Sequence, residues 1–266
     1  MVKPKNVICG TISIMGEEVL FNKPLGSAPI IEAVIGISVN RLFENKDEIK
    51  AAFDKTPLKN IYTTHKTTKI VSFQIDEKDG RTIAEDAVGF IFSKENESLF
   101  IEKNRITLSD RNKYQSFDEL LKKYKYIWNE ISPYIKNIEN KEIIDIGIKC
   151  VNKFDLTAKD IDSETFLINP SISLRSNSTT IGKIQEFLAI HKIVSDKDKT
   201  FANVKTIMTA LPSNVVKCIF EIDAHDNEKR ALDFDLMESV LGTLRLFKNS
   251  IFFTNLPRAD KMEQFK

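Results

Sequence analysis

Few residues of this chain have the types and spacing to do chemistry together. Asp223, Ala224, His225 and Asp226 stand in one run after an apolar stretch, where a carboxylate and an imidazole can share a proton or a cation. With a further acid from elsewhere, Asp223, His225 and Asp226 would suit metal-dependent cleavage of a phosphodiester. The same run also reads as a polar turn after a strand, because Asp is a common turn residue. The other histidines, His65 and His191, fall in separate segments with no partner at ligand spacing, so the sequence predicts neither a metal nor a cofactor. Asp155, Asp160, Asp162 and Glu164 match no calcium loop and read as a solvated connection. Cys9, Cys150 and Cys218 are odd in number, widely spaced and set in apolar strand-like surroundings, which predicts inert thiols in a reducing compartment.

Several reaction classes lack their motifs. There is no Gly-x-Gly-x-x-Gly, no Gly-x-x-x-x-Gly-Lys-Ser/Thr, no Gly-x-Ser-x-Gly and no His-Glu-x-x-His, so the glycine loops that cradle phosphates and the familiar nucleophile and zinc arrangements have no support. The charge balance, 39 Lys+Arg against 38 Asp+Glu, lacks the basic surplus that phosphate neutralisation demands. A cut at residue 140 leaves each half balanced to within one charge. Lys122, Lys123 and Lys125 on one helical turn read as solvated surface. No run approaches the ~20 apolar residues of a membrane helix, and the start lacks the apolar core of a signal peptide. The sequence therefore predicts a cytoplasmic protein.

The elements that must position these residues follow from hydrophobic period. The length of 266 residues, 42% hydrophobic, allows one large domain or two smaller ones. Residues 7–21 alternate weakly and suit a hairpin. Pro24 and Pro29 lead into a β-branched strand over 30–39, with Glu32 its odd member. Helical spacing covers 47–53 and stops at Thr56-Pro57. Segments 69–75, 87–92, 98–102 and 105–108 make an antiparallel meander. Ser116 to Glu119 is a capping box, after which apolar residues from Phe117 to Ile135 recur every three or four positions. The plan then repeats, with strands over 143–151, 184–190, 200–210 and 215–222 and a helix over 233–247. Ile35-Gly36-Ile37 resembles Ile146-Gly147-Ile148, which suggests an internal duplication. The expected fold is α+β: two related halves, 1–140 (with 1–23 an extension or hairpin) and 141–266, each a meander packed against a long helix. The apolar block from Leu244 to Leu256 must dock, either closing the core or meeting a partner.

Three blocks also carry a resemblance. They are Pro24 to Val34 with its Ala-Pro-Ile-Ile-Glu-Ala core, Ile148 to Leu156 with Lys149-Cys150-Val151-Asn152-Lys153, and Leu244 to Phe253 with Lys248-Asn249 before Phe252-Phe253. In this order they resemble a sporadically distributed family of bacterial proteins, mostly uncharacterised, that has Arg-Tyr where this chain has Lys149-Cys150 and Arg where it has Lys153. The resemblance implies a shared fold, and the family's patchy distribution implies a place among mobile or phage-defence genes. Glu32, Asn152, Lys248 and Asn249, the polar members of the matching blocks, are the candidate binding residues. The first expectation is a non-enzymatic binding or sensor subunit that works through a protein partner or as a homo-oligomer, with no nucleic-acid or membrane partner. The alternatives are a metal-dependent nuclease or phosphodiesterase built on Asp223, His225 and Asp226, or a small-ligand or nucleotide sensor.

Overall fold

In residues 30–39 alternate side chains are fully apolar, and in the computed structural model they form β1 (Ile30–Val39), whose Ala33, Ile35, Ile37 and Val39 are completely buried. The structure describes residues 29–76, 80–112, 114–157, 186–195, 199–210 and 215–255. The expected hairpin over 7–21, Cys9, and the acids Asp160, Asp162 and Glu164 lie outside them. After β1 come α1 (Lys46–Lys55) and a single turn α2 (Leu58–Ile61). The meander follows as β2 (Thr64–Asp76), β3 (Gly80–Lys94), β4 (Glu97–Glu102) and β5 (Arg105–Arg111), and then α3 (Phe117–Ile131). The chain continues through β6 (Glu142–Thr157), β7 (Glu186–Val194), β8 (Thr200–Ala210), β9 (Val215–Asp226), the short β10 (Arg230–Ala231) and α4 (Phe234–Asn255).

The protein is α+β, and the strands of the described residues join one ten-stranded antiparallel sheet in the order β2-β3-β4-β5-β1-β6-β9-β8-β7, with β10 also on β6. The centre is the β1–β6 ladder, in which Gly36 stands directly opposite Gly147, flanked by Ile35 opposite Ile148 and Ile37 opposite Ile146. Because side chains alternate across a strand, each strand sends one set to a helix-covered face and the other to a second face. The covered face buries Ile146, Ile148 and Cys150 of β6 and Phe220, Ile222 and Ala224 of β9. Onto it pack Leu120, Tyr124 and Ile127 of α3 and Leu241, Leu244 and Phe252 of α4. At the β3–β4 end α1 lies on the same face, with Phe53 stacked on Phe92.

Local signals explain where the helices begin and end. The side chain of Asn45 accepts from the backbone N–H groups of Asp47 and Glu48, each at 3.0 Å, and caps α1; such a cap contributes about 1 kcal/mol. Ser116 caps α3 by accepting from the Glu119 N–H at 3.1 Å, as the capping box predicts. The expected run to Ile135 stops short, because Pro133 sits in a 3-10 turn, Ser132–Tyr134, and proline cannot donate to a continuing helix. Conversely α4 runs on to Asn255, beyond the expected end at 247, so the apolar block closes the core as helix, with Ile251 and Phe252 buried. Asp155 lies inside β6 rather than in a polar connection, and β9 continues to Asp226. The Asp223–Asp226 run is therefore strand, not turn.

Candidate functional site

The second face has no helix over its middle among the described residues, and its central strands bear charged and polar side chains. Glycine at both 36 and 147 leaves the central pair bare. A Cβ on Gly36 would come within 2.7 Å of Arg105 Nη2, and one on Gly147 within 3.0 Å of His225 Nδ1. The guanidinium from β5 and the imidazole from β9 thus lie over the two glycine backbones, on neighbouring strands of the sheet centre. This is the close approach that glycine in a strand interior permits.

His225 is fixed on both sides. Nδ1 lies 3.1 Å from an oxygen of Asp145 and Nε2 lies 3.1 Å from Asp223 Oδ1. Phe201, directly across β8, stacks on the imidazole at 5.3 Å between centroids and 16° between planes. Lys192 of β7 in turn places its ammonium 3.9 Å from the centre of the Phe201 ring. Burial alone would push the imidazole pKa down, but hydrogen bonds and charge from Asp145 and Asp223 outweigh it and raise it to about 9. At neutral pH the ring is a cation with both N–H groups committed. It is a fixed charge rather than a base awaiting a proton.

Other pairs flank this centre. Glu32 accepts from Ser109 Oγ at 2.7 Å and Arg111 Nε at 2.9 Å. Desolvation would raise its pKa, but these two bonds and the nearby cations hold its carboxyl below the ordinary value. Lys149 pairs with Glu221 at 3.2 Å. Arg105 differs, because its Nε is buried with no acceptor among the described residues.

The candidate residues from sequence are divided between the faces. Glu32 lies on the second face, whereas Asn152 is only 1% exposed on the covered face, donating Nδ2 to the Phe220 carbonyl at 3.1 Å. Lys248 is buried on α4 and Asn249 follows it in the same helix. The four do not form one surface. Beneath α4, Asn152 Oδ1 and Thr206 Oγ1, which flank Phe220 across the sheet, are buried without a hydrogen-bond partner among the described residues. Asp223 and His225 are brought together as the sequence suggested, but Asp226 points to the covered face, where Arg230 Nη2 donates to it at 3.0 Å. Their true companion is Asp145, which the sequence reading missed, as it did Phe201, Lys192 and Arg105. A signal for Asp145 existed, since period two places it on one face with Gly147 and Lys149.

The remaining reactive groups are quiet. Cys150 and Cys218 are buried free thiols, and burial pushes that of Cys218 up to about 12. On β7 both ring nitrogens of His191 are buried without a partner among the described residues, and desolvation lowers its pKa. No group of three or more His, Cys, Asp or Glu among the described residues is placed to hold a metal ion. None of the described helices is long and apolar enough to cross a membrane. No protein-family model and no curated protein matches the chain.

Proposed function

We propose that this chain is a non-enzymatic binding subunit that acts through a protein partner, using the second face of its sheet. The observation that carries this reading is the commitment of the candidate base in the Asp223–Asp226 run: both nitrogens of His225 are engaged, by Asp145 and Asp223. Proton transfer at neutral pH needs a group with a free site and a pKa near the working pH, and this imidazole has neither. Fixed, paired charges around an aromatic are what a surface needs to orient a partner. The nuclease alternative is disfavoured by the division of its three residues, Asp226 lying on the far face with Arg230.

The fold is further read as two related halves meeting at β1 and β6. What supports this is the placement of Gly36 opposite Gly147 within two matching Ile-Gly-Ile triplets, each triplet followed in the chain by a meander and a long helix. The cytoplasmic setting and the defence association remain proposals resting on composition and on the family resemblance. Affinity purification of the tagged chain at native expression level tests the function, with a stoichiometric protein partner expected. Divalent-ion-dependent cleavage of a phosphodiester that disappears in Asp223→Ala, with stability retained, would overturn it.

A further inference from the structure

Among the described residues β7 ends the sheet, and its second-face row sets exposed aliphatic side chains between one acid and one base, Glu186 and Lys192. Leu188, Ile190 and Val194 are 59%, 66% and 61% exposed and project on the second face at alternate positions. Edge strands ordinarily carry charges or distortions that prevent pairing with another chain. The opposite edge, β2, does so with Lys66 and Lys69. On β7 the only cation in the row, Lys192, is drawn over the Phe201 ring.

We infer that β7 pairs with β7 of a second copy of this chain, antiparallel about a two-fold axis at Ala189. Symmetry permits only registers centred on a residue if like faces are to meet, because a half-step would set second-face residues against covered-face ones. Among these, the register centred on Ala189 sets Glu186 opposite Lys192 of the second copy and Leu188 opposite Ile190, with both pairs repeated by the axis. A centre at Ile190 would oppose Leu188 to Lys192 and Glu186 to Val194, pairing aliphatic with charge. A centre at Leu188 would oppose Ile190 to Glu186. Opposite charges and matched aliphatics directly across a ladder stabilise it, so the sequence of β7 is self-complementary in one register. The two sheets become continuous and the second faces of both copies lie on one side. This interface touches the cluster around His225 only through Lys192, and it goes beyond the partner reading.

Sedimentation velocity of the full chain over roughly 1–100 µM, with native mass spectrometry for identity, tests it. A dimer is expected. Ile190→Lys changes an exposed position and weakens the dimer by at least about 100-fold, without altering the thermal unfolding of the monomer. Glu186→Lys and Lys192→Glu each weaken it roughly tenfold, since each opposes like charges twice, and the two together restore it to within about threefold. A wild-type monomer at ~100 µM overturns the inference. A dimer indifferent to Ile190→Lys does the same, and failure of the double charge exchange to restore association overturns the register. A monomer that still carries another protein refutes self-pairing alone; a dimer that carries none refutes the partner reading alone.

Discussion

At the scale of single residues, His225 is where electrostatics and stability meet. Its pKa in the folded chain is raised from 6.5 to about 9, so folding is favoured by the bound proton. The contribution is complete below about pH 6.5 and is lost as pH rises through about 9. Its ceiling is about 3 kcal/mol from the size of the shift, less where water reaches the partly exposed carboxylates. Urea unfolding measured from pH 6 to 10 should show stability falling over that interval in the wild type, and a flattened dependence in His225→Gln. A flat wild-type profile would mean that the imidazole is not held as a cation. Only part of this centre was legible in sequence. Asp223 and His225 are two positions apart and were visible as a pair, whereas Asp145 is joined to them by a strand pairing that no local pattern encodes. Asp226 lies apart from that pair because adjacent residues in a strand face opposite ways, which a reading of the run as a turn does not anticipate.

Among the elements, α3 is held to the sheet by a charge as well as by its apolar stripe. Lys123 donates to Glu97 and Asp110, both at 2.8 Å, and Asp110 is buried. Tyr62 donates to the other oxygen of Glu97. Lys123 was expected on a solvated face with Lys122 and Lys125, and that expectation fails because its long side chain leans over the edge of the helix to reach β4 and β5. Lys125 also finds a partner, Glu238 of α4, at 2.9 Å. Lys123 itself is 42% exposed, so water screens part of this network, but removing it leaves the buried Asp110 without its cation. Lys123→Met should therefore cost about 1–2 kcal/mol at pH 7 in chemical denaturation. A loss below about 0.5 kcal/mol would show the network to be surface decoration. Element positions were legible because hydrophobic period is local: β1, β8 and the start of α3 fall where alternation, three-four spacing and the capping box place them. Boundaries failed where the deciding factor was elsewhere. α4 passes through Lys248-Asn249-Ser250 because packing of Ile251 and Phe252 outweighs the weak helix propensity of Asn and Ser.

For the whole molecule, the sheet is the unit of cooperativity. Strand identities say nothing about which strand neighbours which, so the single sheet could not be read from sequence, although its α+β class could. The single tryptophan, Trp128, lies on α3 and meets Phe234 at the start of α4, with 6.3 Å between ring centroids. Its fluorescence therefore senses the contact between the two long helices, while far-UV circular dichroism reports all strands. The two signals should unfold with one midpoint in urea, and separated midpoints would show that the β1–β6 ladder is too weak to couple what lies on either side of it.

That ladder also has a consequence for biosynthesis. Gly36 and Gly147 meet although they are roughly 110 residues apart in the chain, while the β2–β5 strands pair with near neighbours. As the polypeptide leaves the ribosome, β1 can dock on β5 as soon as Arg111 is clear, but its other margin, a row of unpaired backbone N–H and C=O groups, stays bare until β6 emerges. At about 5–20 residues per second that interval lasts on the order of seconds. During it the nascent chain exposes its future centre as an adhesive rim, so the yield of the folded protein depends on whether translation or a holding chaperone keeps that rim from meeting another chain.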